Sequence, residues 1–209
     1  MSADEFCAPQ GWAPTRFAAL YAHSPDPWAM EGSWYEERKR ALLLASLPEA
    51  RYRHAFEPGC GAGLLTAALA PRCDRLLASD CAAQALVAAR QRLADQPHVA
   101  FAQLALPGPW PREAFDLVVL SELLYYLAPE ALEEILAGMQ QSLPARTTLV
   151  ACHFRHAIAG CALSGAAVHA RLHEALGWPR AVSVRDADFV LDVWARGSDG
   201  TLAQREKRL

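Results

Sequence analysis

The sequence predicts an α/β protein: a doubly wound, mostly parallel sheet of seven strands with an N-terminal helical lid. Three observations lead there. Strand-like and helix-like segments alternate from residue 54 to residue 152, as a parallel sheet built from strand–helix units requires. Asp116-Leu117-Val118-Val119-Leu120 is an apolar run after one acid, the pattern of a central strand covered on both faces. Residues 56–63 read Phe-Glu-Pro-Gly-Cys-Gly-Ala-Gly, then helix formers run to Ala70 before Pro71. Strand, glycine turn and helix in that order let backbone approach a nucleotide-like ligand closely, because glycine has no side chain to block it.

Residues 1–32 are rich in proline, alanine and aromatics and read as a wrapping segment with one short helix, Thr15 to Tyr21. Ser33-Trp34-Tyr35-Glu36 has the form of a capping box and opens a helix to about Leu47, stopped by Pro48. The first strand is His54–Glu57 with its helix at Leu64–Ala70; the second, Leu76–Ser79, ends at Asp80 before a helix over Ala82–Asp95. Val99–Leu104 and Phe115–Ser121 are the third and fourth strands, a helix runs from Pro129 to about Ser142, and Thr147–Cys152 is the fifth. Ser164 caps a helix reaching Leu176, with Gly177 at its end. Late strands near Ala181–Val184 and Asp188–Trp194 close the sheet as an antiparallel pair. Three parts follow: a segment and lid helix over 1–50, a ligand-binding domain over 51–196, and a polar, mobile tail over 197–209.

A chain of 209 residues is long enough to bury roughly 70% of its unfolded surface as one domain with a small appendage. The net charge of −3 gives no basic footprint, so no nucleic-acid partner is expected. No run reaches the ~18 apolar residues of a membrane span, and the acidic start Met-Ser-Ala-Asp-Glu-Phe is unlike a secretion signal. A cytoplasmic protein is the expectation. The six cysteines form no Cys-x-x-Cys pair, which argues against zinc or a disulfide framework. The pairs His153/His156 and His169/His173 lack companion ligands, so no metal is expected. The oligomeric state is open.

In a doubly wound sheet the ligand lies beyond the carboxyl ends of the strands. Gly59, Gly61 and Gly63 shape the turn after the first strand. A dinucleotide fingerprint needs glycine at 64, where this chain has Leu64. Asp80 ends the second strand, 21 residues after Gly59, the separation expected of an acid that holds ribose hydroxyls. Asp80 alone would suit NAD or S-adenosylmethionine (SAM). The glycine spacing after Glu57, the helix ahead of the first strand, and an acid with two phenols after the fourth strand (Ser121-Glu122-Leu123-Leu124-Tyr125-Tyr126-Leu127) favour SAM. Cys60 in the turn, Cys81 after Asp80, and Ser121 are expected to line the cofactor pocket.

Asp26-Pro27-Trp28, Tyr35-Glu36 with Arg38-Lys39, Glu57-Pro58-Gly59-Cys60, and Phe115–Val119 with Glu122-Leu123-Leu124-Tyr125-Tyr126-Leu127 together resemble the nodulation protein S (NodS) branch of SAM-dependent methyltransferases, over about residues 26–152. The resemblance implies a Rossmann-like class I methyltransferase fold and SAM as cofactor, with S-adenosyl-L-homocysteine (SAH) as product. It also implies N-methylation of a small acceptor, an amino sugar or something similar, since NodS methylates the free amine of a deacetylated chitooligosaccharide. Carried over, Glu57, Gly59, Cys60 and Gly61 hold the methionine part and Asp80 the ribose. Trp28 and Tyr35 close over the cofactor, with Arg38 or Lys39 toward its carboxylate. Many relatives place an aspartate after the third strand for the adenine amino group. Phe101–Pro107 offers none, leaving Leu104 and Ala105 to sandwich the ring.

Methyl transfer to an amine needs a positioned lone pair and a way to lose a proton. Glu122, Tyr125, Tyr126 and His153 are the candidates at the strand ends, while Glu36-Glu37 and Glu133-Glu134 read as solvated helix faces. The alternatives are O-methylation of another small acceptor, and a non-catalytic SAM-fold binding protein.

Overall fold

The computed structural model describes residues 11–197 and 200–208; the acidic start, Cys7 and part of the tail lie outside the described residues. The chain begins with α1 (Pro14–His23) and α2 (Trp34–Ser46), then β1 (Ala55–Pro58), α3 (Leu64–Leu69), β2 (Leu76–Asp80), α4 (Ala83–Arg92), β3 (Val99–Gln103) and β4 (Leu117–Ser121). It continues through α5 (Pro129–Ser142), β5 (Thr147–Phe154), α6 (Gly165–Leu176), β6 (Arg180–Arg185), β7 (Phe189–Arg196) and α7 (Leu202–Arg205). The strands form one seven-stranded sheet in the order β3-β2-β1-β4-β5-β7-β6. The first five are parallel; β7 runs antiparallel between β5 and β6.

Alternation along the central strands splits the core into two layers. Phe56, Val118, Leu120, Leu149 and Trp194 pack with α5 and α6 on one face; Ala55, Leu117, Val119, Val150 and Val193 pack with α2 and α3 on the other. Every apolar residue of β4 is fully buried, as a central strand with helices on both sides demands. The parallel register sets Pro58 beside Ser79 and Asp80 beside Gln103, and Ser121 beside Cys152. The carboxyl ends of β1, β2, β4 and β5 therefore share one edge.

Two strands start later than the sequence suggests. Asp116 is spent outside the sheet: its carboxylate accepts from the backbone N–H of Arg53 at 3.0 Å and of His54 at 2.8 Å, which stitches the entries of β1 and β4 together. On α2, Ser33 accepts from the Glu36 N–H at 3.4 Å, but the Glu36 side chain turns to Lys39 instead of closing the box. The stretch expected to be a mobile tail holds a capped turn, and Arg205 pairs with Glu49 at 2.6 Å. No helix among the described residues is long and apolar enough to cross a membrane.

Candidate active site

One cavity of about 480 Å³ opens at the shared strand edge, under α1 and α2. Its floor is the turn after β1. Gly61 has a φ of 54°, and a Cβ there would sit 2.7 Å from the Tyr21 hydroxyl of α1. Gly59 has a φ of 73°, with Leu123 3.0 Å from where its Cβ would be. Side chains at either place would be strained and would fill the cavity. Asp80 fixes the turn from the neighbouring strand, accepting from the Gly61 N–H and the Ala82 N–H, each at 2.9 Å. Glu57 is 2% exposed and its Oε2 has no partner. Burial, helped by the nearby Asp80, pushes its carboxyl up to about 8.

Across the cavity stands Glu122, at a φ of 52°. The position is uncommon for a residue with a side chain and is held by its N–H donating to the Cys152 carbonyl at 2.9 Å. Glu122 accepts from Lys39 Nζ at 2.8 Å, from the Phe154 N–H at 3.0 Å and from the Tyr125 hydroxyl. Lys39 also donates to Glu36 at 2.8 Å. Burial works against the charged Lys39, but Glu122 and Glu36 more than offset it and hold the ammonium well above its usual range. Burial, then Glu122, drives the Tyr125 phenol far up, so it stays a donor. Glu36 Oε2 and the Tyr35 hydroxyl face the same cavity, buried and without hydrogen-bond partners.

Aromatic side chains roof the space. Trp12 and Phe17, ahead of and within α1, meet Tyr126 at ring-centroid distances of 4.6 and 5.2 Å. Tyr21 meets Trp28 at 5.7 Å. The backbone N–H of Trp12 donates to the Tyr126 carbonyl at 2.7 Å, tying the start of α1 to the acceptor side.

Most residues singled out from the sequence converge here. Glu57, Gly59, Cys60, Gly61, Asp80 and Cys81 line the floor, Leu104 and Ser121 its sides, and Trp28, Tyr35, Glu122, Tyr125 and Tyr126 the upper walls. Four do not line the cavity. Arg38, one position around the helix from Lys39, points outward and pairs with Asp186 at 2.7 Å. Gly63 caps α3, and the space its Cβ would need is filled by Ala89 and Leu93 of α4. Leu106 lines the wall in place of Ala105. His153 is 0% exposed with both ring nitrogens engaged behind the wall, so it cannot serve as a base there. Gln103 does not stand in for the missing aspartate, since its amide donates to the Cys81 carbonyl at 3.0 Å. Glu36, read as solvated, is a wall residue because Lys39 draws it inward. Phe17 and Tyr21 also line the cavity; the sequence signal for them is two aromatics one helical turn apart.

Three comparisons bear on this arrangement. The family model described as Nodulation protein S (NodS) matches residues 20–177. Nodulation protein S of Rhizobium tropici is 37% identical over 103 residues, 49% of this chain and 43% of the relative. The chain thus spans about half the length of the curated relatives it matches. Among solved structures, N-methyltransferase NodS from Bradyrhizobium japonicum WM9 in complex with SAH is 27% identical, with a TM-score of 0.79 over 88% of this chain and 98% of that one. A Pseudomonas syringae protein provisionally described as a methyltransferase is 48% identical, with a TM-score of 0.68 over 78% of this chain and all of its own.

Proposed function

The chain belongs to the NodS family, and from that premise and the cavity we propose that it is a SAM-dependent N-methyltransferase of a small amine, an amino sugar or similar acceptor. The observation that carries the reading is a single cavity with two unlike ends. A glycine turn flanked by Glu57 and Asp80 forms one end. Carboxylates around a buried lysine, with two phenols, form the other.

The residues of the first end fit the cofactor. Glu57 Oε2 is a buried acceptor with no partner, suited to the ammonium of the methionine moiety. Asp80 faces the cavity with its remaining lone pairs, suited to ribose hydroxyls. Leu104 and Leu106 give an apolar slot for the ring. When bound, SAM supplies a methyl carbon activated by its sulfonium.

The chain does the rest. Among the described residues that line the cavity the cation is Lys39, shared by Glu36 and Glu122, with Arg40 4.0 Å from the other Glu36 oxygen; Asp26, Glu57 and Asp80 line the same cavity, so its lining holds more acids than cations. That attracts an ammonium and disfavours acceptors bearing phosphate or carboxylate. Glu122 accepts three hydrogen bonds and serves as scaffold. Glu36 keeps one oxygen without a hydrogen bond, 4.0 Å from Arg40, and takes the amine's proton as water is excluded by the aromatic roof. Tyr126 and Tyr125 orient the lone pair toward the transferring carbon.

Calorimetry with SAM and SAH, followed by a methyl-transfer screen of glucosamine and its oligomers against hydroxylated acceptors, tests the proposal. Binding of both cofactor forms with label on nitrogen is expected. Label confined to hydroxyls would overturn the nitrogen assignment, and no cofactor binding at millimolar concentration would overturn the whole reading.

A further inference from the structure

The wall that carries Glu122, Tyr125 and Tyr126 is not regular structure. It is a positive-φ residue followed by one 3-10 turn over Leu124–Tyr126. Such a turn leaves backbone donors without partners of its own, and the Leu124 N–H points backward into the core. It meets His153 Nε2 at 3.2 Å. His153 Nδ1 lies 3.1 Å from His169 Nε2 on α6, and His169 Nδ1 lies 2.6 Å from Asp192 Oδ2 on β7. Asp192 is closed off on its far side by Arg185, at 3.1 and 3.2 Å, and by Arg180 at 3.2 Å. His153 is 0%, His169 2% and Asp192 0% exposed.

The chemistry of the ends fixes every proton between them. A backbone N–H can only donate, so His153 Nε2 must present a lone pair. An ionised aspartate can only accept, so His169 Nδ1 must carry hydrogen. Between them His153 Nδ1–H donates to His169 Nε2. Both rings are then neutral Nδ1–H tautomers, and all donors point the same way, from the turn toward Asp192. Burial, and after it the neighbouring His169, keeps His153 well below the ordinary imidazole range. Burial likewise lowers His169 against the pull of Asp192.

We propose that His153 and His169 are positioning residues that, through this one-way chain to Asp192, lock the Leu124–Tyr126 turn and with it the acceptor end of the pocket. They touch neither cofactor nor acceptor. The acceptor half of the proposal rests on the methyltransferase reading; the tautomer and backbone half does not.

The test uses the whole chain. Long-range ¹H–¹⁵N spectra of the imidazoles are expected to show Nδ1–H on both rings and a bare Nε2 on each. A proton on His153 Nε2 would overturn the proposal outright. His153→Leu removes the acceptor for Leu124. Hydrogen exchange at the Leu124 amide is expected to accelerate by at least about tenfold, as loss of one buried bond implies. With glucosamine as probe, KM is expected to rise by at least about tenfold, while the Kd for SAH rises by clearly less, because the glycine turn is held by its own hydrogen bonds to Asp80. Equal losses in KM and Kd, or an unchanged Leu124 exchange rate, would reduce His153 to general packing. Should His153→Leu not fold, the wild-type imidazole spectrum still decides. Should glucosamine not be methylated by the wild type, the functional reading falls, while the spectrum and the Leu124 exchange rate judge this inference independently.

Discussion

A buried carboxylic acid with one oxygen lacking a partner must stay protonated or meet a cation, and Glu57 is built for both. Its folded value near 8 lies above the ordinary 4.5. Between those values the folded chain keeps a proton that the unfolded chain has released. Stability therefore falls as pH climbs from about 4.5 to 8 and levels off above, by at most about 1.4 kcal/mol per unit. Glu57→Gln is expected to abolish that slope, read as urea midpoints at pH 5.5 and 8, and to weaken SAH binding in calorimetry. Asp80→Ala is expected to remove SAH binding while the fold survives, because its carboxylate ties local groups of the two turns, the Gly61 and Ala82 amides and Cys81; Gly61→Leu should do the same by colliding with Tyr21. Glu36→Gln is expected to lower kcat toward glucosamine by about 10²-fold at neutral pH, with partial recovery as pH rises and the free amine fraction grows. Glu57, Asp80, Gly59 and Gly61 were legible because strand ends and glycine spacing are local signals. Glu36 was not, since its inward turn depends on Lys39 and on Glu122, 83 residues away from that lysine.

The lid elements hold the pocket through aromatic contacts more than through backbone. Phe17 on α1 touches Trp12 at 5.5 Å, Tyr126 at 5.2 Å and Trp28 at 6.5 Å. Phe17→Ala removes those three contacts together. Such pairs are worth roughly 1 kcal/mol each beyond burial. SAH affinity is expected to drop by about tenfold or more, measured by calorimetry, and the unliganded thermal midpoint is expected to fall as well, because Phe17 packs against the α5–α6 layer of the core. The second lid element, α2, is joined to the segment after β4 by Lys39 alone among described ion pairs. A helix at the start of the chain was expected from Thr15 to Tyr21, and its observed span is Pro14–His23. Where it would dock was beyond reach, because the contact depends on Tyr126 far along the sequence.

For the whole molecule, ligand and fold should be linked. SAH at a hundred times its Kd adds ~2.7 kcal/mol, which for a chain of this size is about 5–10 °C in thermal midpoint; Asp80→Ala should show no such shift. The doubly wound sheet could be read from the sequence because β1–β5 arrive in strand–helix units whose handedness is nearly fixed. The placement of β7 between β5 and β6 could not, since an antiparallel pair fits either order by hydrophobic pattern alone. That placement governs how the protein can be made. Every described residue lining the cavity lies at or before Ile158, yet β5 borders on β7, which begins at Phe189. A nascent chain emerging from the ribosome has therefore synthesised its entire binding site while one flank of β5 still lies bare, and Asp192 is not yet there to anchor His169. Maturation of the site awaits the arrival of β7, the last strand in chain order among the described residues, so a shielding chaperone would matter most in that interval.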